Sequence, residues 1–218
     1  MLNRPPAQPL NAVDVIGLAI ARLSHGGNHI GVIYQSTAVG LTLAHLAWHH
    51  DLRFERPDDK YIWLDLAPLD EMNKRVSAAF FETLRNEHPN IPYGFDMRGE
   101  CFDESGNFIP PPLGKGLTCA TFVLATFRAH GHHLVDEETW PTRAEDEIWQ
   151  EQILQLLTQS AATEHIQALE NDIGAKRYKP EEVAASGIRM STPSTFDDIK
   201  QLADGILREL AEVGPWQV

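Results

Sequence analysis

The apolar positions change period along the chain, and the changes mark out the elements. Residues 29–34 (His-Ile-Gly-Val-Ile-Tyr) are dominated by β-branched and aromatic side chains and read as a strand. Residues 40–48 read as a second strand, with Leu41, Leu43, His45 and Ala47 on one face by period-two alternation. The short gap between the two predicts a hairpin. Residues 61–66 are a third strand candidate. Upstream, 11–23 supports two readings: a helix capped by Asn11, or a strand favoured by the Val and Ile content of 13–20. Residues 24–28, with Gly26-Gly27, are a turn, and the Pro-rich first ten residues are expected to be loose.

Beyond 66 the period becomes helical. Residues 70–88 are expected to form a helix with Val76, Phe80, Thr83 and Leu84 inward and Pro89 after its end. Residues 90–113 carry Pro, Gly and Asp throughout and read as a long loop. A short amphipathic helix then opens at Cys119, with Thr118 as N-cap and Gly131 as stop. Residues 140–172 read as one long helix with a capping box from Thr142 and Glu145, and 188–191 as a short strand. A last helix starts at 194–197, carries Phe196, Ile199, Leu202, Ala203, Ile206 and Leu210 as its apolar stripe, and stops at Gly214-Pro215. Strands and helices segregate along the chain, which indicates an α+β fold: a small antiparallel sheet packed on helices.

Composition narrows the function classes. At 218 residues, with 43% hydrophobic and 22% charged content, the chain fits one substantial core. A formal charge of −13 argues against nucleic acid and anionic membrane surfaces as partners. Much of that charge is local: 136–172 hold ten acids against the single base Arg143. The simple reading is a solvated helix face; the alternative is a docking surface for a protein partner on the 140–172 helix. Two cysteines, Cys101 and Cys119, build no disulfide framework, so a reducing, cytoplasmic setting is expected. The apolar stretch 15–21 has neither the basic lead nor the cleavage site of a secretory signal, and export by a route without a cleaved signal stays open. No stretch approaches the length of a membrane span.

The candidate chemistry centres on Cys119. A thiol at a helix N-terminus faces unpaired N–H groups and the positive end of the macrodipole, which should lower its pKa and favour the nucleophilic thiolate. The competing reading is a core cysteine, because Cys119, Val123 and Phe127 share one helix face. His29, at a strand end beside a glycine turn, is the candidate base, and His45 a candidate third residue that orients it. Each imidazole also reads as an ordinary hydrogen-bonded histidine. Tyr93, in the turn Ile91-Pro92-Tyr93-Gly94-Phe95-Asp96, is a candidate cleft residue with its hydroxyl toward substrate. His45, His49, His50 and Asp51 invite a metal reading, but metal spacing requires a helix where the pattern favours a strand; no metal and no cofactor are expected. His130, His132 and His133 flank a helix C-terminus, where they suit the terminal carbonyls.

Taken in order, these motifs resemble the circularly permuted branch of the NlpC-type papain-like superfamily. There a His-x-Gly-hydrophobic strand comes first and the nucleophilic cysteine follows at a helix start. This chain has His29-Ile30-Gly31-Val32, then the His45 strand, then Pro92-Tyr93-Gly94-Phe95-Asp96, then Thr118-Cys119-Ala120-Thr121-Phe122-Val123. The lecithin retinol acyltransferase-like relatives share the plan, with Asn-Cys-x-x-Phe-Val where this chain has Thr118 before the cysteine. The resemblance spans roughly residues 13–130. It implies a papain-like core over 1–135, a helical extension over 136–218 packed on it as one domain, and a cysteine hydrolase acting on an amide or ester bond of a peptide-like or acyl substrate. By the same resemblance Cys119 is the nucleophile, His29 the base and His45 the third polar residue, with Thr118 and Tyr93 at the substrate. The rival is a catalytically idle scaffold that binds a protein.

Overall fold

A computed structural model describes residues 2–24, 26–97, 99–103 and 105–215. Five strands, β1 (Ile16–Arg22), β2 (Asn28–Ser36), β3 (Gly40–Trp48), β4 (Asp51–Glu55) and β5 (Ile62–Asp65), form an antiparallel sheet in the order β4-β3-β2-β1-β5. The expected hairpin is β2–β3, paired from Ser36↔Gly40 to Val32↔Ala44. Beyond that point β2 keeps pairing with β1, through Ala21↔His29 and Arg22↔Asn28. The start of β2 therefore sits where the sheet parts from β3, and His29 lies in that opening.

Both faces of the sheet are covered. Leu18, Ile20, Ile30, Val32 and Leu64 pack under the helices. Ala19, Ala21, Ile33, Leu43 and Trp63 pack under Leu10 and Val13 from the N-terminal segment. That double cover explains why 11–23 supports two readings: β1 is buried from Ile16 to Ala21, so it lacks the alternation of a half-exposed strand. A strand forms there, not the Asn11-capped helix. Nor is the N-terminal segment loose. Asn3 exchanges two backbone hydrogen bonds with Trp63 at 2.7 and 3.0 Å, and Trp63 Nε1 donates to the Gln8 carbonyl.

Six α-helices occur among the described residues: α1 (Glu71–Glu87), α2 (Cys119–Arg128), α3 (Ala144–Leu157), α4 (Thr163–Leu169), α5 (Pro180–Ile188) and α6 (Phe196–Val213). Asp70 caps α1 by accepting from the Asn73 amide, and His88 closes it in the left-handed region. Its inward face is Ser77, Ala78, Phe80, Phe81 and Leu84; Val76 is 45% exposed and Thr83 also faces out, so the expected stripe is rotated. Helix α2 is buried from Ala120 to Phe127 and packs on β2 and β3. It ends three residues before the expected stop, and His130 Nδ1 donates to the Thr126 carbonyl at 2.9 Å.

The single helix expected over 140–172 is two. Helices α3 and α4 fold back on each other so that Leu154, Leu157, Ile166 and Leu169 close a small core over Tyr93 and Phe95. Arg143, not Thr142, stands at the N-cap of α3, without a side-chain cap bond. Several acids of this segment are paired internally: Asp146 with Arg143 and Arg177, Asp172 with Lys115, Glu137 with Arg128. The expected uniform solvated face is thus partly an internal ion-pair network. The strand expected at 188–191 does not form: Ile188 is the last residue of helix α5, and 189–191 are irregular. Ala184, Ala185 and Gly187 let α5 lie close on the sheet, where a Cβ on Gly187 would meet Leu18 Cδ1 at 2.9 Å. Helices α5 and α6 share the main core with the sheet and α2, so the segment beyond 135 completes that core. None of the helices is long and apolar enough to cross a membrane.

Candidate active site

Two glycines set the position of Cys119. Gly94 and Gly116 cross backbone to backbone: a Cβ on Gly94 would lie 2.2 Å from Gly116 N, and one on Gly116 would lie 2.1 Å from the Pro92 carbonyl. This crossing, sealed by the Leu117 amide donating to Pro92 O at 2.9 Å, ties the loop carrying Tyr93 to the approach to α2. Thr118 then caps the helix in a reciprocal box with Thr121: the Thr121 amide donates to Thr118 Oγ1, and the Thr118 amide to Thr121 Oγ1 at 2.7 Å. Cys119 is the first helical residue, as expected, and the backbone amides of Ile30, Ala120 and Cys119 itself lie around its sulfur and favour its charged form.

The electrostatics differ from the expectation. Burial pushes the Cys119 thiol up from its ordinary value; the three amides and the Arg177 charge pull it down without reversing the direction. Local helix geometry favours the thiolate, but removal from water outweighs it. The resting group is a thiol.

His29 directly precedes Ile30, whose amide reaches the sulfur. It is 6% exposed, and its Nε2 lies 2.7 Å from His45 Nδ1. The rings meet edge to face, with centroids 4.8 Å apart and planes at 80°. His45 is fully buried, and its Nε2 lies 3.2 Å from Glu55 Oε1 on β4. Gly31 makes the pairing sterically feasible. A Cβ there would sit 2.8 Å from both His45 Cβ and the Ala44 carbonyl, so only glycine lets β3 bring His45 beneath His29. Burial, aided by His45 and Arg53, lowers the His29 pKa to about 3. Burial likewise lowers His45, against the opposing pull of Glu55. Both imidazoles are neutral at rest.

One pocket of about 530 Å³ opens onto this row, with Cys119, His29, His45, Thr118 and Tyr93 all in its lining. The structure thus brings every sequence-predicted site residue to one place. Tyr93 is a wall residue only 6% exposed, held from both sides. Its amide donates to His49 Nδ1 at 3.1 Å, its carbonyl accepts from His165 Nε2 at 2.8 Å, and its ring packs at a 46° tilt against Trp48. The wall continues into the α3 stripe Trp149, Gln152, Ile153 and Leu156, at i, i+3, i+4 and i+7, whose Trp149 and Ile153 pack on the small core around Tyr93. Arg177 lies 3.7 Å over the Trp149 ring and pairs with Asp146.

Sequence reasoning misses three of these contributors. Glu55 sits on a strand too short and polar to be read. Arg177 lies in irregular chain between α4 and α5. Trp149 falls within an expected helix, but nothing in the pattern assigns it a face. Two histidines of the metal reading have other partners: His49, together with His165, clamps Tyr93, and His45 joins His29. No group of three His, Cys, Asp or Glu among the described residues has metal-binding geometry. No family model matches the chain, and no curated protein or solved structure is significantly similar to it.

Proposed function

We propose that the chain is a cysteine hydrolase of the permuted NlpC-type papain-like kind, cleaving an amide or ester bond through an acyl-thioester. One observation carries the reading. A cysteine at a helix N-terminus and a buried chain of two imidazoles ending on a carboxylate converge on the same pocket.

The chemistry follows from the resting charges. Thiol and imidazole are both neutral, so the proton leaves sulfur as sulfur attacks the carbonyl carbon, and His29 receives it at Nδ1, since Nε2 is engaged by His45. The imidazolium that forms is stabilised through His45 and Glu55. The oxyanion is met by the Cys119 amide at the helix start. Collapse expels the amine or alcohol, which takes the proton from His29, and leaves a thioester. Water, deprotonated by His29, then releases the acid and regenerates the thiol. The aromatic and aliphatic walls favour a substrate with an apolar group beside the scissile carbonyl.

Incubation with p-nitrophenyl butyrate, followed by peptide mass spectrometry, tests the reading. The expected result is a butyryl adduct on Cys119 and none on Cys101, absent in Cys119→Ala and slowed by about 10²-fold or more in His29→Ala. Acylation of both cysteines at equal, His29-independent rates would sink the hydrolase and leave the idle binding scaffold.

A further inference from the structure

We propose that Glu55 is a positioning residue that fixes the tautomers of His45 and His29, so that His29 Nδ1 carries a lone pair. Donor and acceptor capacities decide the assignment. A carboxylate only accepts, and a neutral imidazole has one donor and one acceptor nitrogen. Glu55 Oε1 lies 3.2 Å from His45 Nε2, so that nitrogen must carry the proton. His45 Nδ1 is then an acceptor. Its partner at 2.7 Å, His29 Nε2, must donate. His29 Nδ1 therefore carries no hydrogen, which is the state a general base needs. Were either ring reversed, His29 Nδ1 would carry a hydrogen and could not take the thiol proton.

The neighbours leave Glu55 to this task. On β4, Arg53 and Asp51 are bonded to each other at 2.6 and 3.0 Å. From β2 the facing group is His29 itself, and from the segment ahead of β5 it is the phenol of Tyr61, with Asp58 behind. Among these charged groups, Glu55 is the carboxylate within hydrogen-bond distance of His45. Burial of the pair keeps water from supplying the alternative donor: His45 is fully buried and His29 nearly so. Glu55 itself is 40% exposed, at the edge of a second surface groove, so its truncation admits solvent to the His45 Nε2 side and leaves the apolar core in place.

The kinetic consequence rests on the cysteine-hydrolase reading, but the tautomers do not, so the two can fail separately. The test is long-range ¹H–¹⁵N correlation of the imidazole nitrogens in the full chain at pH 7.5, in the native protein and in Glu55→Ala. In the native protein both rings should be Nε2–H tautomers. In Glu55→Ala, where solvent can either donate or accept at His45, both chain directions should appear, and Cys119 acylation should fall by about tenfold or more. Thermal unfolding should stay within about 2 °C of native, as for a surface substitution. A native His29 with Nδ1–H, or a tautomer pattern unchanged in Glu55→Ala, overturns the proposal. If the tautomers shift as described while Cys119 is never acylated, Glu55 keeps this role and the hydrolase reading fails instead.

Discussion

Acidification should destabilise this protein through His29 by an amount that its burial fixes. The group titrates at 6.5 in an unfolded chain and at about 3 in the folded one. Between those values the unfolded state binds a proton that the folded state refuses. The stabilisation is therefore fully present above pH 6.5 and is lost as pH falls toward 3. Each pH unit is worth about 1.36 kcal/mol, so going from pH 7.5 to 4.5 costs about 2.7 kcal/mol from this residue alone. Other histidines, among them buried His45 and half-buried His49 and His130, shift in the same direction, so the native protein by itself cannot isolate the effect. The comparison is with His29→Gln, whose amide can still donate to His45 Nδ1. Urea unfolding followed by tryptophan fluorescence from pH 7.5 to 4.5 gives the stability difference between the two proteins. That difference should be flat above pH 6.5 and then change by about 1.4 kcal/mol per unit, in disfavour of the native protein. A difference that stays constant down to pH 4.5 would refute the claim that His29 is held neutral by burial.

Two further substitutions probe the surroundings. Gly31→Ala forces a Cβ against a backbone carbonyl and the His45 side chain; it should cost about 1–3 kcal/mol in urea unfolding and slow Cys119 acylation more than any loss of folded protein explains, and unaltered stability would contradict the contact. Arg177→Gln removes the charge that favours the thiolate, so iodoacetamide alkylation of Cys119 at pH 8 should slow by up to about tenfold with its pH profile displaced upward, whereas Cys101 should be unaffected; an unchanged Cys119 profile would remove Arg177 from the site.

What can be read from the chain is what local chemistry dictates. Strand β3 has its expected bounds because alternation and the glycine turn are properties of neighbouring residues. Helix α2 starts where Thr118 says it should, because a cap is a contact three residues long. Cys119, His29 and His45 are recognisable by type, order and spacing. The misses have one physical cause: each depends on partners distant in the chain. Strand β4 exists through its register with β3, His45↔Arg53 included, so Glu55 is invisible in the sequence as a partner of His45. Helix α5, rich in Ala, Ser and Gly, lacks a stripe because it is buried nearly all round; Pro180 followed by Glu181 and Glu182 is the usable signal. The break between α3 and α4 follows from the loop they cover. Even the thiol's acidity is misjudged from sequence, since a helix terminus is local and exclusion of water is not.

The α3 wall has a consequence for how this pocket could change. The residues that would perform chemistry belong to strands β2, β3 and β4 and the start of α2, while one side of the chamber in front of them belongs to a helix anchored elsewhere. Exchanging Gln152, Ile153 or Leu156 would reshape what fits without touching a single ring nitrogen of the relay, whereas Trp149 also seats Arg177 and is best left in place. Selectivity and reactivity are thus separately adjustable in this architecture, and a library confined to three positions on one helical stripe is enough to vary the first while holding the second fixed.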